Sequence, residues 1–195
     1  VLVCGSVVNQ DGRSSSLTAP NGPSQQDAVR KAMDDADVMP IHYDQTEMHG
    51  TGTALGDPIE VGALSAVLLN VKQGGNPLPL QATKSVFGHA EAGAGILGVI
   101  YTSARMMFMC VRMIPTLRFA NSFLVDAMSV ARSATAAKQE YAHVSSKQIR
   151  DISAAGVSAF AFQGTNAHVV MQRTSEGGLV ASCEQLRNWD KSYAW

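Results

Sequence analysis

A short glycine-rich stretch, Glu47–Glu60, constrains this chain of 195 residues more than any other part of it. It reads Glu-Met-His-Gly-Thr-Gly-Thr-Ala-Leu-Gly-Asp-Pro-Ile-Glu, and an apolar run from Ile59 to Val71 follows. Asp57 can cap a helix, Pro58 suits the first helical position, and Glu60 stands where the acid of a capping box would stand. The pattern therefore predicts a helix that begins here, with Asp57 as its cap.

The same stretch places a histidine between two regular elements. We expect a strand at about Gln45–Met48, a tight loop that carries His49, and then the helix. Side chains that carry out chemistry in α/β proteins are often placed at such a junction. A lone histidine in such a loop is more often structural than catalytic, so the stretch alone leaves both roles open.

Two nucleotide-binding interpretations do not fit this loop. Gly50, Gly52 and Gly56 give the spacing GxGxxxG instead of the dinucleotide-binding GxGxxG. No acid lies between Leu64 and Thr83, where a ribose-binding Asp or Glu is expected. The Gly-Lys-Ser/Thr of a phosphate-binding P-loop is also absent from the sequence.

A second histidine lies in a stretch of similar design, Thr83–Gly95. Lys84 comes five residues before His89, and Glu91 comes two residues after it. We expect this stretch to join a strand at about Leu80–Ser85 to a helix. Two strand-to-helix turns that each carry a histidine can converge on one pocket, which favours a shared catalytic role.

The two stretches belong to a larger set of ordered motifs, and with these motifs the chain resembles the β-ketoacyl synthases, in particular the ketosynthase domains of modular polyketide synthases. The matching segments are Val-Asn-Gln-Asp-Gly (8–12), Leu-Thr-Ala-Pro-Asn-Gly-Pro (17–23), His-Gly-Thr-Gly-Thr (49–53), Gly-Asp-Pro-Ile-Glu (56–60), Lys-Ser-x-x-Gly-His-x-Glu (84–91) and Gly-Thr-Asn-Ala-His-Val-Val (164–170). Their order and spacing over about residues 1–172 are too specific for coincidence.

The resemblance implies a layered thiolase-like α/β fold, of which this chain would be the C-terminal half only. Residues 1–172 would form the C-terminal part of a ketosynthase domain, and residues 173–195 a linker or tail. Within the first part we expect a catalytic half-fold core (1–118), a variable segment (119–150) and a terminal hairpin (151–172).

The resemblance also implies an activity, the decarboxylative Claisen condensation of a malonyl-type extender with an acyl chain in polyketide or fatty acid biosynthesis. His49 and His89 would donate hydrogen bonds to one thioester oxygen as its enolate forms. An imidazole suits this task because it can donate at neutral pH without a full charge.

Other site residues follow from the same resemblance. Lys84 and Glu91 would form a buried pair that shapes the pocket, because an unpaired buried charge is costly. Thr51 and Thr53 match positions whose hydroxyls bind a phosphopantetheine arm. Phe162 matches a gating phenylalanine whose backbone N–H contributes to an oxyanion hole.

No metal or directly bound cofactor is expected, since the substrate would arrive on the phosphopantetheine arm of an acyl carrier protein. The other implied partners are the N-terminal half of the same domain and a second copy in a homodimer. A net charge of −1 gives no electrostatic argument for nucleic acid or membrane. Residues 92–111 are apolar but interrupted by Arg105, so we expect a buried core helix in a cytoplasmic or organellar protein.

The chain lacks the family's nucleophilic cysteine, which lies in an upstream motif. None of Cys4, Cys110 and Cys183 has that setting, and the first two are predicted to be small buried hydrophobes. The chain alone is therefore expected to be inactive in condensation. His42, His143 and His168 have no partners in the sequence pattern; we predict that they are structural or exposed.

Smaller departures concern Val86, where the family usually has asparagine, and Ala161 and Gln163, where it usually has glycine. A lost glycine could alter a turn that needs a positive φ. Two alternatives stay open. One is a non-condensing relative, such as a decarboxylase, a chain-length factor or a carrier-binding domain. The other is a thiolase or another coenzyme A enzyme, which the spelling of the motifs disfavours.

Overall fold

A mixed sheet of six strands organises the protein. The computed structural model describes residues 1–12, 19–69, 78–107, 114, 134–136 and 153–174. Its strands are β1 (Leu2–Gln10), β2 (Tyr43–Glu47), β3 (Leu78–Gln81), β4 (Ala134–Ala136), β5 (Ala154–Phe160) and β6 (Thr165–Gln172). They lie in the order β1-β6-β5-β2-β3-β4.

The strand directions bring three loops to one edge of this sheet. β2 runs parallel to β3 and to β5, and β4 runs parallel to β3. β6 is antiparallel to both β5 and β1. Because the carboxyl ends of parallel strands meet at the same edge, the loops that follow β2, β3 and β5 converge there.

Four α-helices accompany the sheet in the described residues. They are α1 (Gly22–Asp35), α2 (Gly56–Leu64), the single-turn α3 (Lys84–Phe87) and α4 (Ala94–Met107). A π-helical segment, Ser65–Leu69, extends α2, and short 3-10 turns occupy Pro40–His42 and Glu91–Gly93. Asn21 caps α1, since its side chain accepts a hydrogen bond from the Ser24 N–H at 3.1 Å.

The core lies on both faces of the sheet. α1 and α2 cover one face with a large apolar cluster, which includes Val29, Ala32, Val61, Leu64, Tyr43, Leu80 and Val170. A smaller cluster of Met106, Ala155, Val157 and Met171 joins α4 to the other face. Burial of apolar surface on both faces explains why β5 is an almost continuous apolar run instead of an alternating one.

The predicted α/β architecture is confirmed, and the terminal hairpin exists as β5 and β6. The strand expected to continue to Ser85 ends instead at Gln81, because the backbone then turns into α3.

Several sequence predictions fall on residues outside the described part of the chain. Within the segment treated as variable, residues 134–136 form β4, and the remainder, with His143, lies outside the described residues. The same holds for Cys110, and for residues 175–195 with Cys183. The predictions made for these residues therefore stay predictions.

The helix expected within residues 92–111 is α4, but it is not buried all round. Ile96, Ile100 and Met107 are exposed, whereas Arg105, the charged residue, is only 6% exposed. The buried core helix expected here is therefore buried on one face within the described residues, with Ala94, Gly98 and Met106 among its buried positions. No helix in the described ranges is long and apolar enough to cross a membrane.

Candidate active site

The two predicted histidines lie side by side at the carboxyl edge of the sheet. His49 follows β2 and His89 follows α3, and their ring centroids are 5.7 Å apart in an edge-to-face arrangement. The parallel pairing of β2 with β3 causes this approach, since it places the two following loops next to each other. The structure thus brings together residues that are forty positions apart in the sequence.

The His49 ring is held in one tautomer by the backbone. Its Nδ1 accepts a hydrogen bond from the Phe160 N–H at 3.3 Å. Because a backbone amide only donates, Nδ1 carries no proton, and the neutral ring must carry its proton on Nε2. Burial lowers the pKa of His49 to about 4; the positive charge of Lys84 adds to the effect, as would a protonated His89. At neutral pH His49 is therefore an uncharged Nε2–H donor.

The His89 ring is oriented in the same way from its own loop. Its Nδ1 accepts the Glu91 N–H at 3.0 Å, so the neutral ring also carries its proton on Nε2. Glu91 reaches this position with φ +46°, a left-handed conformation that is strained for a residue other than glycine. Gly88 supplies a second positive φ, +76°, just before the ring.

Glu60 fixes the loop that carries His49, a role that the sequence pattern did not indicate. Its side chain is buried; Oε1 accepts the His49 N–H at 2.7 Å and Oε2 accepts the Gly50 N–H at 2.9 Å. The predicted capping box is wrong, because Glu60 turns back to the preceding loop instead of to its own helix end. Burial raises the pKa of Glu60 to about 7.

Asp57 is likewise not the helix cap. Leu55 occupies that position and makes no side-chain capping bond, while Asp57 Oδ1 accepts the Gly52 N–H at 3.1 Å. The loop can present its N–H groups to both acids because Gly50 and Gly52 have positive φ values, +46° and +76°. A loop with two such glycines just before two acids was the signal that could have indicated this arrangement.

The buried pair expected between Lys84 and Glu91 does not form. Glu91 is exposed and Lys84 is half-buried, and no salt bridge joins them. Burial lowers the pKa of the Lys84 ammonium, and the negative charges of Glu60, Glu47 and Asp57 oppose that shift, Glu60 most strongly. The acids that face Lys84 therefore come from the His49 side of the site.

Phe162 lies in the β5–β6 turn with 79% of its surface exposed, at the mouth of the site. The turn is closed by the Ala161 N–H to the Thr165 carbonyl at 2.7 Å. Its left-handed residue is Gly164, with φ +88°; neither Ala161 nor Gln163 has a positive φ. The absence of glycine at those two positions therefore causes no backbone strain.

Asn166 is a further site residue that the motif comparison gave no role. It is 1% exposed, and its Nδ2 donates to Asp11 Oδ1 at 2.6 Å, to Asn9 Oδ1 at 3.1 Å and to the Gly164 carbonyl at 3.3 Å. The Asp11 N–H also donates to that carbonyl, at 2.8 Å. These bonds fix the end of β1 to the turn that carries Phe162.

His168, predicted to lack partners, is fully buried between two of them. Its Nδ1 lies 3.0 Å from Ser158 Oγ, and its Nε2 lies 3.4 Å from the Tyr43 hydroxyl. Burial lowers its pKa to about 4, so the ring is neutral. This agrees with a structural role. Cys4, expected to be buried, is only half-buried in β1.

The loop after β2, the loop that carries His89 and the β5–β6 turn line an open cleft of about 500 Å³. Its walls include His49, His89, Thr51, Thr53, Phe162 and Asn166. Thr53 is partly engaged, because its Oγ1 accepts the Gly56 N–H at 3.0 Å, but its own hydroxyl hydrogen is available. Within the described residues no group of three or more His, Cys, Asp or Glu side chains could hold a metal ion.

Solved structures with the same fold are ketosynthases. The ketosynthase from module 6 of the bacillaene synthase of Bacillus subtilis 168 has a TM-score of 0.72 and 29% identity, over 97% of this chain and 35% of that one. The ketosynthase from module 1 of the bacillaene synthase of Bacillus amyloliquefaciens FZB42 has a TM-score of 0.74 and 26% identity, over 89% and 30%. The fold is therefore the thiolase-like α/β fold, as predicted.

The protein family is assigned by a sequence match to a family model. Residues 1–118 match the family described as "Beta-ketoacyl synthase, C-terminal domain". This chain belongs to the β-ketoacyl synthase family and corresponds to the C-terminal portion of a ketosynthase, which confirms the resemblance.

Similar curated proteins are modular polyketide synthases. Polyketide synthase GfsA of Streptomyces halstedii is 40% identical over 195 residues, which is all of this chain and 2% of that protein. Pikromycin polyketide synthase component PikAIII of Streptomyces venezuelae is 42% identical over 171 residues, 88% of this chain and 11% of that protein. The chain thus spans only a small part of the length of these relatives.

We predict that His49 stays neutral, with its proton on Nε2, from pH 8 down to pH 5. The depressed pKa means that the folded state binds fewer protons than the unfolded state between about pH 6.5 and pH 4. The corresponding stability is complete above about pH 6.5 and is lost as the pH falls through about 4. Ring ¹⁵N chemical shifts measure both properties. A midpoint near 6.5, or a proton on Nδ1, would contradict this assignment.

We predict that Glu60→Gln lowers the free energy of unfolding by about 1–3 kcal/mol at pH 8, where the carboxylate is ionised. The amide oxygen can replace one acceptor, but the NH₂ group then faces a backbone N–H, which stays buried and unpaired. Chemical denaturation followed by circular dichroism measures the loss. Glu91→Gln, at an exposed acid in the same site, is the matched control and should change stability by less than about 0.5 kcal/mol. Equal effects of the two substitutions would disprove the role of Glu60.

Proposed function

We propose that this chain is the C-terminal half of a ketosynthase domain that catalyses decarboxylative condensation of a malonyl-type thioester with an acyl chain. One observation carries the proposal: His49 and His89 both have Nδ1 occupied by a backbone N–H, so both offer Nε2–H to the same cleft. Two such donors at one place suit a single oxygen on which negative charge develops.

The proposed chemistry uses these donors during carbon–carbon bond cleavage. As the malonyl carboxylate leaves as carbon dioxide, the electron pair of the broken bond moves into the thioester and forms an enolate. The enolate oxygen accepts hydrogen bonds from the two Nε2–H groups, and each such donor typically lowers the barrier by about 3–4 kcal/mol. The enolate carbon then attacks the carbonyl carbon of an acyl thioester on a cysteine, which the N-terminal half would supply. As the new carbon–carbon bond forms, the extender's thioester C=O is restored, the acyl C–S bond breaks and the cysteine leaves as a thiolate.

The uncharged state of His49 is important in this scheme. A neutral imidazole can stabilise the enolate without delivering its proton, because it is a far weaker acid than an imidazolium. An imidazolium could protonate the enolate carbon or oxygen and waste the extender. The low pKa that burial imposes on His49 therefore supports carbon–carbon bond formation at neutral pH.

The substrate would enter on the phosphopantetheine arm of an acyl carrier protein. Thr51 and Thr53 line the cleft and would hydrogen-bond that arm, and Phe162 would gate the mouth. The open cleft and the polyketide synthase relatives support this assignment. We further propose a homodimer of the complete domain. Its cytoplasmic or organellar location stays a prediction.

Lys84 and Glu91 keep supporting roles, but by different contacts from those predicted. We propose that Lys84 balances the buried Glu60 carboxylate beneath the His49 loop. Glu91 would act through its backbone N–H, which orients the His89 ring, while its side chain remains exposed.

We predict that His49→Ala or His89→Ala in the complete ketosynthase domain lowers malonyl decarboxylation by at least about 100-fold, the effect typical of one lost oxyanion donor. Acyl loading of the cysteine should persist, because that step does not form the malonyl enolate. Carbon dioxide release and mass spectrometry of the acylated domain measure the two steps.

His42→Ala is the matched control, since His42 is exposed on the 3-10 turn before β2. It should leave both rates unchanged. Normal decarboxylation in both site variants would refute the assigned roles. Decarboxylation without any condensation in the wild-type domain would instead favour the non-condensing alternative.

A further inference from the structure

A buried ion pair lies directly behind the two histidines. Arg105 on α4 and Glu47 at the end of β2 are joined at 2.9 Å, with side-chain exposures of only 7% and 3%. Glu47 comes two residues before His49, and its second carboxylate oxygen accepts the Thr83 N–H. Thr83 is the residue that precedes α3, the single turn that leads to His89.

Arg105 is linked to both ends of α3, directly at Thr83 and through Tyr101 at Phe87. At the start of α3, its Nη2 also donates to Thr83 Oγ1 at 3.0 Å. At the other end, its guanidinium lies 4.5 Å from the centre of the Tyr101 ring, and that ring packs edge-on against Phe87 at 5.5 Å. Phe87 is the last residue of α3.

The geometry points to Arg105 as a positioning residue that fixes His89 against His49. The backbone of α3 alone does not hold it in place, because the helix has only four residues and therefore little stability of its own. The hydrogen bonds of Arg105 and Glu47 to Thr83 hold the start of α3 in place instead. We call the set Glu47, Thr83, Tyr101, Phe87 and Arg105 the α3 clamp.

A purely stabilising role explains the α3 clamp less well. A buried ion pair is often no more stabilising than an apolar pair of the same size, because both charges lose their hydration. In addition, Nε and Nη1 of Arg105 are buried and have no hydrogen-bond partner among the described residues. What the pair does provide is a directional link between the strand that leads to His49 and the helix that leads to His89.

This inference rests on the proposed function, and its test uses the complete ketosynthase domain. Arg105→Met removes the link, so malonyl decarboxylation, which needs both imidazoles on one oxygen, should fall at least tenfold. Acyl loading of the cysteine should stay within twofold, and KM for the malonyl thioester should change little. Arg30→Met, at an exposed arginine on α1, is the matched control and should alter neither step.

Two further variants separate positioning from folding. Adding Glu47→Gln to Arg105→Met removes the buried Glu47 charge that the loss of Arg105 leaves unpaired. Because the amide oxygen can still accept the Thr83 N–H, part of the decarboxylation rate should return. Arg105→Lys keeps the positive charge but loses the planar guanidinium group and its contact with the Tyr101 ring. It should fold, as judged by circular dichroism, and still decarboxylate at least threefold more slowly.

The outcomes distinguish this inference from the function on which it rests. If the wild-type domain does not decarboxylate malonyl thioesters, the proposed function fails. If the wild-type domain does so and all three Arg105 variants match it, the positioning role fails. Equal losses of decarboxylation and acyl loading, in proportion to the folded fraction, would also overturn the positioning role.

Discussion

The site depends on two hydrogen bonds from backbone amides to imidazole nitrogens. The Phe160 N–H binds His49 Nδ1 and the Glu91 N–H binds His89 Nδ1, so each ring has a fixed tautomer and a fixed orientation. Neither bond depends on a titratable donor. In the proposed function, the two Nε2–H groups are therefore prepared as donors before any substrate arrives, the condition under which oxyanion donors stabilise a transition state most strongly.

Two buried carboxylates fix the loops that carry the histidines to the sheet. Glu60 holds the backbone of the His49 loop, and Glu47 joins the end of β2 to the start of α3. Both oxygens of each carboxylate accept a hydrogen bond, either from a backbone N–H group or from Arg105. These hydrogen bonds compensate for the burial of the two charges. The mixed sheet then supplies the third contact, because β5 ends where the Phe160 N–H meets His49.

The sequence predicted those features that depend on local pattern. The two histidine-bearing turns and the hairpin near the end of the fold follow from apolar runs and turn residues, and the layered α/β fold was implied by the resemblance to ketosynthases. The partners of Glu60, Glu47 and Arg105 could not be predicted in this way. Glu60 matches a capping box in sequence spacing, but two glycines with positive φ turn the preceding loop towards it. The Arg105 pair joins residues 58 positions apart, and only the folded sheet brings them together.

A crystal structure of the complete ketosynthase domain with a non-hydrolysable, non-decarboxylating malonyl-pantetheine analogue would show whether both imidazoles bind one oxygen. We expect the analogue's thioester-equivalent oxygen to lie about 2.7–3.1 Å from Nε2 of both His49 and His89. Both Nδ1 atoms should keep their backbone donors. An oxygen bound to only one ring, or a ring that presents Nδ1 to the ligand, would disprove the shared role of the two histidines.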